Sequence, residues 1–253
     1  MRTSFLDTPI DVLTLVETVD LAKLAMKKRL RLQHVAMNVA KLVNMRTDAT
    51  LSEDVRGSDI VGIDGMGILF ALKLFGVDVK ERVAGIDLFE NLLAVCEQEG
   101  FRPYFLGATQ QVLDGAVRVI KEKHPRLQLA GCQHGHFPAE QEASVIEEIR
   151  RAGADCLFIG MPTPRKERLL ARYRDTLGVP FIMGVGGTFD VISGLVARAP
   201  MMWQSSGLEW LYRVLQEPRR LWWRYFRTNS IFVYLLASEV VKRNTLISHP
   251  KPS

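Results

Sequence analysis

Six short apolar runs, separated by stretches of helical character, fill residues 34–185 and constrain the fold more than any other feature. They are His34–Ala40, Asp59–Ile63, Arg102–Gly107, Leu127–Gly131, Asp155–Gly160 and Val179–Val185. Several, such as DCLFIG at 155–160, are continuous rather than alternating in polarity. That is the pattern of strands covered by helices on both faces. Helical stretches run up to Lys123, over Ala139–Ala152, and from Arg165 to Thr176. This rhythm predicts an α/β domain with a mostly parallel sheet. In such sheets ligands bind beyond the carboxyl ends of the strands. Chemistry is therefore expected in the loops Asp64-Gly65-Met66-Gly67, Gly107-Ala108-Thr109, His134-Gly135-His136, Gly160-Met161-Pro162 and Gly184-Val185-Gly186-Gly187.

Composition closes off several classes. Apolar residues make up 47% of 253, enough for a sizeable core and too many for a disordered chain. A net charge of +5 is a mild excess, unlike that of a protein built to coat nucleic acid. Cys96, Cys132 and Cys156 are far apart, without a CxxC pair, which argues against a disulfide scaffold or zinc ribbon and for a reducing compartment. The N-terminus, with Arg2, Asp7 and Asp11, lacks a signal-peptide core. The apolar run Ile231–Ala237 is far short of the ~20 residues of a spanning helix.

Within the loops, Asp64 ends an apolar run and precedes Gly65 and Gly67, so its carboxylate is placed to act as a general base. From spacing alone, the commoner use of Asp-Gly is a turn aspartate bonded to its own backbone. The loop Gly184, Val185, Gly186, Gly187 leads into a helical stretch and exposes amides suited to a diphosphate, although it matches neither GxGxxG nor a Walker motif. Tight helix–strand packing explains it nearly as well. Arg82 either meets phosphate or carboxylate oxygens or forms a surface ion pair. His134 and His136 do not suggest a metal site, because side chains two apart on a strand diverge. One histidine touching substrate, or a structural loop, accounts for them better.

Composition shifts after about residue 197. All four tryptophans lie between Arg198 and Arg227, with six arginines against two acidic residues. At ~100° per residue, Arg220, Arg224 and Arg227 share one side of a helix. Leu221, Trp222, Tyr225 and Phe226 share another. Such segregation suits a helix lying among lipid headgroups. It equally suits an amphipathic helix packed on the core. An arginine from this segment would also serve to stabilise charge on a departing diphosphate.

Together these pieces resemble the bacterial WecG/TagA/CpsF family of glycosyltransferases over roughly residues 8–228. The matching stretches are HVAMN at 34–38, IDGMGI at 63–68, ERVAGIDL at 81–88, FLGAT at 105–109, GHF at 135–137, GVGGTFD at 184–190, RAP at 198–200 and GLEWLYRVLQEPRR at 207–220. The resemblance implies a Rossmann-like core over 1–197 that binds a UDP-sugar. A membrane-touching C-terminal appendage would occupy 198–253. It implies inverting transfer of a sugar to a polyprenyl-diphosphate-linked saccharide, in synthesis of a bacterial surface polysaccharide. Asp64 maps onto the proposed general base and Arg82 onto the nucleotide-sugar site. Arg213, Arg220 and Arg224 map onto diphosphate contacts, with Arg219 a one-residue alternative to Arg220. Asn38, His136, Lys166, Gly184, Gly186 and Gly187 complete the expected substrate-binding set.

Two departures leave the donor sugar open. Ala36 stands where relatives carry Thr. Lys166, in Pro164-Arg165-Lys166-Glu167, stands where they carry Gln, and a cation there would meet a donor carboxylate or a phosphate. With no DxD-type carboxylate pair, neither metal nor cofactor is expected. The expected partners are the donor, the lipid-linked acceptor, a membrane surface on the cytoplasmic face and, in some settings, further copies of the chain, but no nucleic acid. The rivals are another Rossmann-type nucleotide-sugar enzyme and a non-catalytic membrane- or nucleic-acid-binding module. The first lacks a dinucleotide fingerprint, and the second has no use for the Asp64 loop.

Overall fold

A computed structural model describes residues 1–248, with side chains described through Lys242. Two strands without a sequence signal open the chain: β1 (Arg2–Phe5) and β2 (Thr8–Asp11) form an antiparallel hairpin. Its turn holds Leu6 and Asp7 at φ 47° and 54°. Two-residue hairpin turns with positive φ at both centres are signalled by Asn-Gly or Asp-Gly. Leu-Asp carries no such mark. Helix α1 (Leu15–Lys28) starts at a capping box in which Thr14 and Glu17 each accept the other's amide hydrogen.

The chain continues through β3 (Leu32–Met37), α2 (Val39–Asn44), α3 (Ala49–Arg56), β4 (Ile60–Ile63), α4 (Met66–Leu74) and α5 (Gly85–Glu99). Then come β5 (Pro103–Gly107), α6 (Gln110–Lys123), β6 (Gly131–Gln133), α7 (Glu142–Ala152), β7 (Cys156–Gly160), α8 (Arg165–Arg172), β8 (Phe181–Gly184) and α9 (Thr188–Ile192). The last helices are α10 (Met201–Ser205), α11 (Glu209–Gln216) and α12 (Pro218–Ser248).

One sheet holds all eight strands in the order β1-β2-β4-β3-β8-β7-β5-β6, and every pairing beyond the hairpin is parallel. The expected Rossmann-like, mostly parallel α/β sheet is what forms. From β3 the chain leads to β4 on one side, while its other neighbour, β8, is reached from β7. Connections diverge between β3 and β8, so the crevice outside their carboxyl ends is the topological switch point.

Packing explains why the strands are continuously apolar. Phe89, Phe105, Phe158, Phe181 and Phe189 fill one face beneath α1, α5 and α6. Leu157, Ile159 and Ile182 fill the other beneath α7 and α8. Each such side chain, taken fully out of water, contributes ~1.5–3 kcal/mol.

Two boundaries differ from expectation. The fourth strand is Gly131–Gln133, not Leu127–Gly131. Leu127 is buried in the core, and pairing starts where a Cβ on residue 131 would sit 2.6 Å from the Tyr104 ring. The first run ends at Met37, because Asn38 turns the chain and caps α2.

The C-terminal helices are tied to the sheet at several points. Arg198 bonds Asp87 on α5. Residue 207, a glycine, abuts Met66 and Phe70 of α4. On α12, Leu221, Thr228 and Phe232 are buried, and Phe232 joins the core of β3, β4, α2 and α4. The appendage expected over 198–253 runs past this description, since 249–253 lie outside the described residues. Among the described residues no helix is long and apolar enough to cross a membrane.

Candidate active site

Asp64 follows directly on β4 at the strand-end side of the sheet. Its amide and that of Gly65 donate to Met37 O at 3.0 and 3.1 Å, which locks the loop beside β3. Its Oδ1 accepts the Gly85 amide at 2.8 Å. Gly85 is the first residue of α5, whose capping residue Ala84 has no side-chain acceptor. Asp64 thus caps α5 from another part of the chain, an anion at a helix N-terminus. Its Oδ2 makes no hydrogen bond among the described residues. Burial raises the carboxyl's proton affinity and the Glu209 charge adds to this, against the Gly85 hydrogen bond and the cations Arg82 and Lys41. The net shift is upward. Asp64 as a residue is half-buried, so its loop reaches the surface while the carboxyl group itself is largely removed from water.

Arg82 reaches across this loop. Its Nη1 points to Asp64 O at 3.5 Å, and its Nη2 donates to Glu209 Oε2 at 2.9 Å. The ion pair is partly buried and joins residues 127 positions apart. The bland alternative of a surface pair with a nearby acid does not describe it.

On the other side of the crevice lies a buried cluster. Lys41 and Lys166 both place Nζ 2.9 Å from Oε1 of Glu167. The three residues are 6%, 7% and 2% exposed. Lys166 also donates to Thr163 Oγ1 at 2.6 Å, and its stem occupies the space a Cβ on Gly184 would need. Two ammoniums share one carboxylate, so the cluster carries an uncompensated positive charge. Burial, followed by the Lys41 charge, lowers Lys166 to about 8 despite its partner. Burial pushes Glu167 up, but both lysines outweigh it and hold the carboxyl at about 2. Asn38 caps α2 through Oδ1, which accepts the Lys41 amide at 3.0 Å. Its Nδ2 stays unpaired among the described residues.

The glycine loop after β8 makes several kinds of demand. Gly184 admits Lys166, Gly186 adopts φ 56°, and Gly187 admits Arg213, whose Nη2 lies 2.7 Å from the position of an added Cβ. The amides of Gly186 and Gly187 have no acceptor among the described residues. Arg213 Nε is likewise buried without a partner. Asp190 nearby is raised by burial, against Arg213 and Arg220. Arg220 is exposed and paired with Glu217, the residue between α11 and α12. Arg224 is exposed and lies over the Tyr225 ring at 5.0 Å.

The structure therefore sets Asp64 with Arg82, Asn38, and the 184–187 loop with Lys166 and Arg213 at the carboxyl ends of the neighbouring strands β4, β3 and β8. Arg224 is exposed on α12, and His136 is exposed on the loop after β6. Arg165 donates to Gly135 O and Phe137 O and holds that loop. Lys41, Gly85, Glu167 and Glu209 belong to the same arrangement without having been singled out from sequence. Lys41 lies three residues beyond Asn38, the reach of an N-cap. Glu209 lies four before Arg213, one helical turn. Two surface hollows, of about 500 and 200 Å³, lie elsewhere, at the α2–α3 corner and beside α8, and Asp64 lines neither.

A parallel sheet whose switch point gathers one free carboxylate oxygen, a cation cluster and an arginine-covered glycine loop defines an α/β group-transfer enzyme. The chain belongs to the glycosyl transferase WecG/TagA/CpsF family, whose profile matches residues 3–246. It is similar to N-acetylglucosaminyldiphosphoundecaprenol N-acetyl-beta-D-mannosaminyltransferase of Bacillus subtilis (strain 168), at 32% identity over 195 residues. The match covers 77% of this chain and 74% of that relative.

Proposed function

We propose that this glycosyltransferase moves a hexosyl or N-acetylhexosaminyl group, with inversion, from a UDP-sugar to a saccharide carried on polyprenyl diphosphate. The observation that carries the reading is the divided carboxylate of Asp64: Oδ1 is held by Gly85, and Oδ2 is free. In this reading Oδ2 takes the proton from an acceptor hydroxyl as that oxygen attacks the anomeric carbon. The unpaired amides of Gly186 and Gly187 and the guanidinium of Arg213 receive the charge growing on the diphosphate. Arg82 and Lys166 bind donor oxygens, with Asn38 and His136 on the substrate side. Arg220 and Arg224, exposed on α12, swing in from their present partners when the donor is seated.

The relative's name specifies an undecaprenyl-diphosphate acceptor, which supports a lipid-linked acceptor here. Residues 1–197 then form the donor-binding core, and 198–253 form an appendage that rests on the cytoplasmic face of the membrane. Trp222, Trp223 and Phe226 support this. They are 59%, 67% and 53% exposed, and each tryptophan ring stacks against Phe226 with centroids 5.9 Å apart. A helix merely packed on the core would turn its largest aromatics inward, as it does Leu221.

The test is transfer to a synthetic lipid-diphosphate sugar from a panel of UDP donors, with the product's anomeric configuration read by NMR. Transfer with inversion is expected from at least one donor. No transfer from any UDP-sugar to any such acceptor would overturn the reading. Repeating the panel with Lys166→Gln tests that residue, and an unchanged donor preference removes it from the donor site.

A further inference from the structure

Helix α11 spans the crevice with a single face. Glu209 and Arg213 are four residues apart, so their side chains leave the same side of the helix. The first reaches the base loop and the second reaches the glycine loop. Glu209 Oε2 accepts from Arg82 Nη2 at 2.9 Å. Arg213 Nη2 lies at Gly187. The segment that carries Arg82 is itself clasped to the base loop. Val83 N donates to Ile63 O at 2.8 Å, and Gly85 N donates to Asp64 Oδ1 at 2.8 Å. Just before Glu209, Gly207 lies against Met66 and Phe70 of the helix that follows Asp64. The appendage therefore enters the site at this corner, and Glu209 makes the charged contact there.

We propose that Glu209 is a positioning residue for glycosyl transfer: by seating Arg82 against the Asp64 loop it sets α11, and with it Arg213, over the donor diphosphate. This rests on the function proposed above. Through Arg82, the negative end of the contact also sits within electrostatic reach of the base. The charged groups that face Asp64 are Arg82, Glu209 on α11, Lys41 on α2 and Lys166 on α8, with the Gly85 amide of α5. Glu209 is the acidic member of that set, and it opposes ionisation of Asp64.

Two consequences separate positioning from a merely structural tie. Glu209→Gln keeps the side chain's shape and one acceptor oxygen but removes the charge. Turnover should fall, on the order of tenfold to a hundredfold, as expected when reacting groups are displaced by about 1 Å. The acid limb of kcat/KM should move to lower pH, because a negative neighbour of the base is gone. Glu209→Asp keeps the charge with a shorter reach, so turnover should drop while the acid limb stays in place. Loosening an appendage that has no electrostatic link to the base moves neither limb.

The experiment is the pH profile of transfer for the parent chain, Glu209→Gln, Glu209→Asp, Arg82→Gln and the Arg82→Gln/Glu209→Gln double variant, each checked for a cooperative melt. The expected result is a displaced acid limb in Glu209→Gln alone among the Glu209 variants, and a double variant no slower than Arg82→Gln. An unmoved limb in Glu209→Gln overturns the proposal, as do losses that add in the double variant. If Arg82→Gln is too slow to measure, the limb in Glu209→Gln decides. A parent chain that transfers no sugar refutes the proposed function, and this inference falls with it.

Discussion

The backbone amide of Gly85 is bonded to Oδ1 of Asp64 at 2.8 Å, so one carboxylate oxygen caps a helix while the other is left over. In the proposed mechanism the same side chain is thus both a structural and a chemical element. Turn and base, the two readings open from the Asp-Gly pair alone, are not exclusive. The carboxylate serves the backbone, but it serves α5 across 21 residues and not its own turn.

That double use predicts a split between stability and activity. Burial raises the Asp64 carboxyl above its ordinary value. Its contribution to stability is therefore fully present below the unfolded pKa and is lost as pH rises through the folded pKa. Asp64→Asn keeps an acceptor for Gly85 and removes the buried charge. It should melt at or above the parent temperature at pH 7, with the advantage shrinking toward pH 4, while transfer is nearly abolished. Asp64→Ala loses the cap as well and should fall below Asp64→Asn by ~1 kcal/mol. Melting curves against pH check both, and a neutral-pH melt of Asp64→Asn well below the parent contradicts the account.

Glu167 is predicted to be structural first. Its carboxylate is bonded to two buried ammoniums, and Glu167→Gln leaves Lys41 and Lys166 facing each other. Breaking a buried pair this way costs about 3–5 kcal/mol. At ~2–4 °C per kcal/mol for a chain of this size, the melting temperature should fall by roughly 10 °C at pH 7. The carboxyl is held at about 2, so its contribution is present above 4.5 and is lost between 4.5 and about 2. The deficit of the variant should therefore shrink across that window. A deficit independent of pH would point to packing and not to charge.

Much of this was legible in the sequence, for identifiable reasons. Strands such as Cys156–Gly160 are covered on both faces, and so they read as unbroken apolar runs. Asp64 and the glycine loop were visible because they end such runs. The hairpin was hidden because β1 buries only Phe5 and turns through Leu-Asp. Lys41 and Glu167 were hidden because nothing local marks a charged residue as buried, and the two meet across more than 120 positions. Glu209 was hidden for the same reason. Its meaning is the guanidinium of Arg82, which only the folded chain brings to it.

Membrane contact is predicted to depend on side chains that the fold does not use. Replacing Trp222, Trp223 and Phe226 together by Ser should leave the melting temperature within ~3–6 °C of the parent, since each exposed substitution usually acts within about 0.5 kcal/mol. Flotation with anionic liposomes should drop sharply. Binding of the parent chain should also weaken with salt, because each basic residue near the surface contributes ~1 kcal/mol. Equal flotation of parent and triple variant would remove these aromatics from the lipid contact.

Lys166 is predicted to set an alkaline limb. Burial, reinforced by the Lys41 charge, lowers it to about 8, far below the ordinary lysine value of 10.5. The folded protein therefore prefers the neutral amine between those values, and the cation is present only below about 8. If the ammonium meets donor oxygens, as proposed, kcat/KM declines as pH passes 8. The decline should appear in the donor's KM more than in kcat. Lys166→Gln is uncharged at every pH, so its profile should be flat through this range and lower than that of the parent at pH 7. Lys41→Gln removes the charge that helps to depress Lys166 and should move the limb upward. A limb near 8 that persists in Lys166→Gln belongs to another group, and the cation at the glycine loop would then have no part in holding the donor.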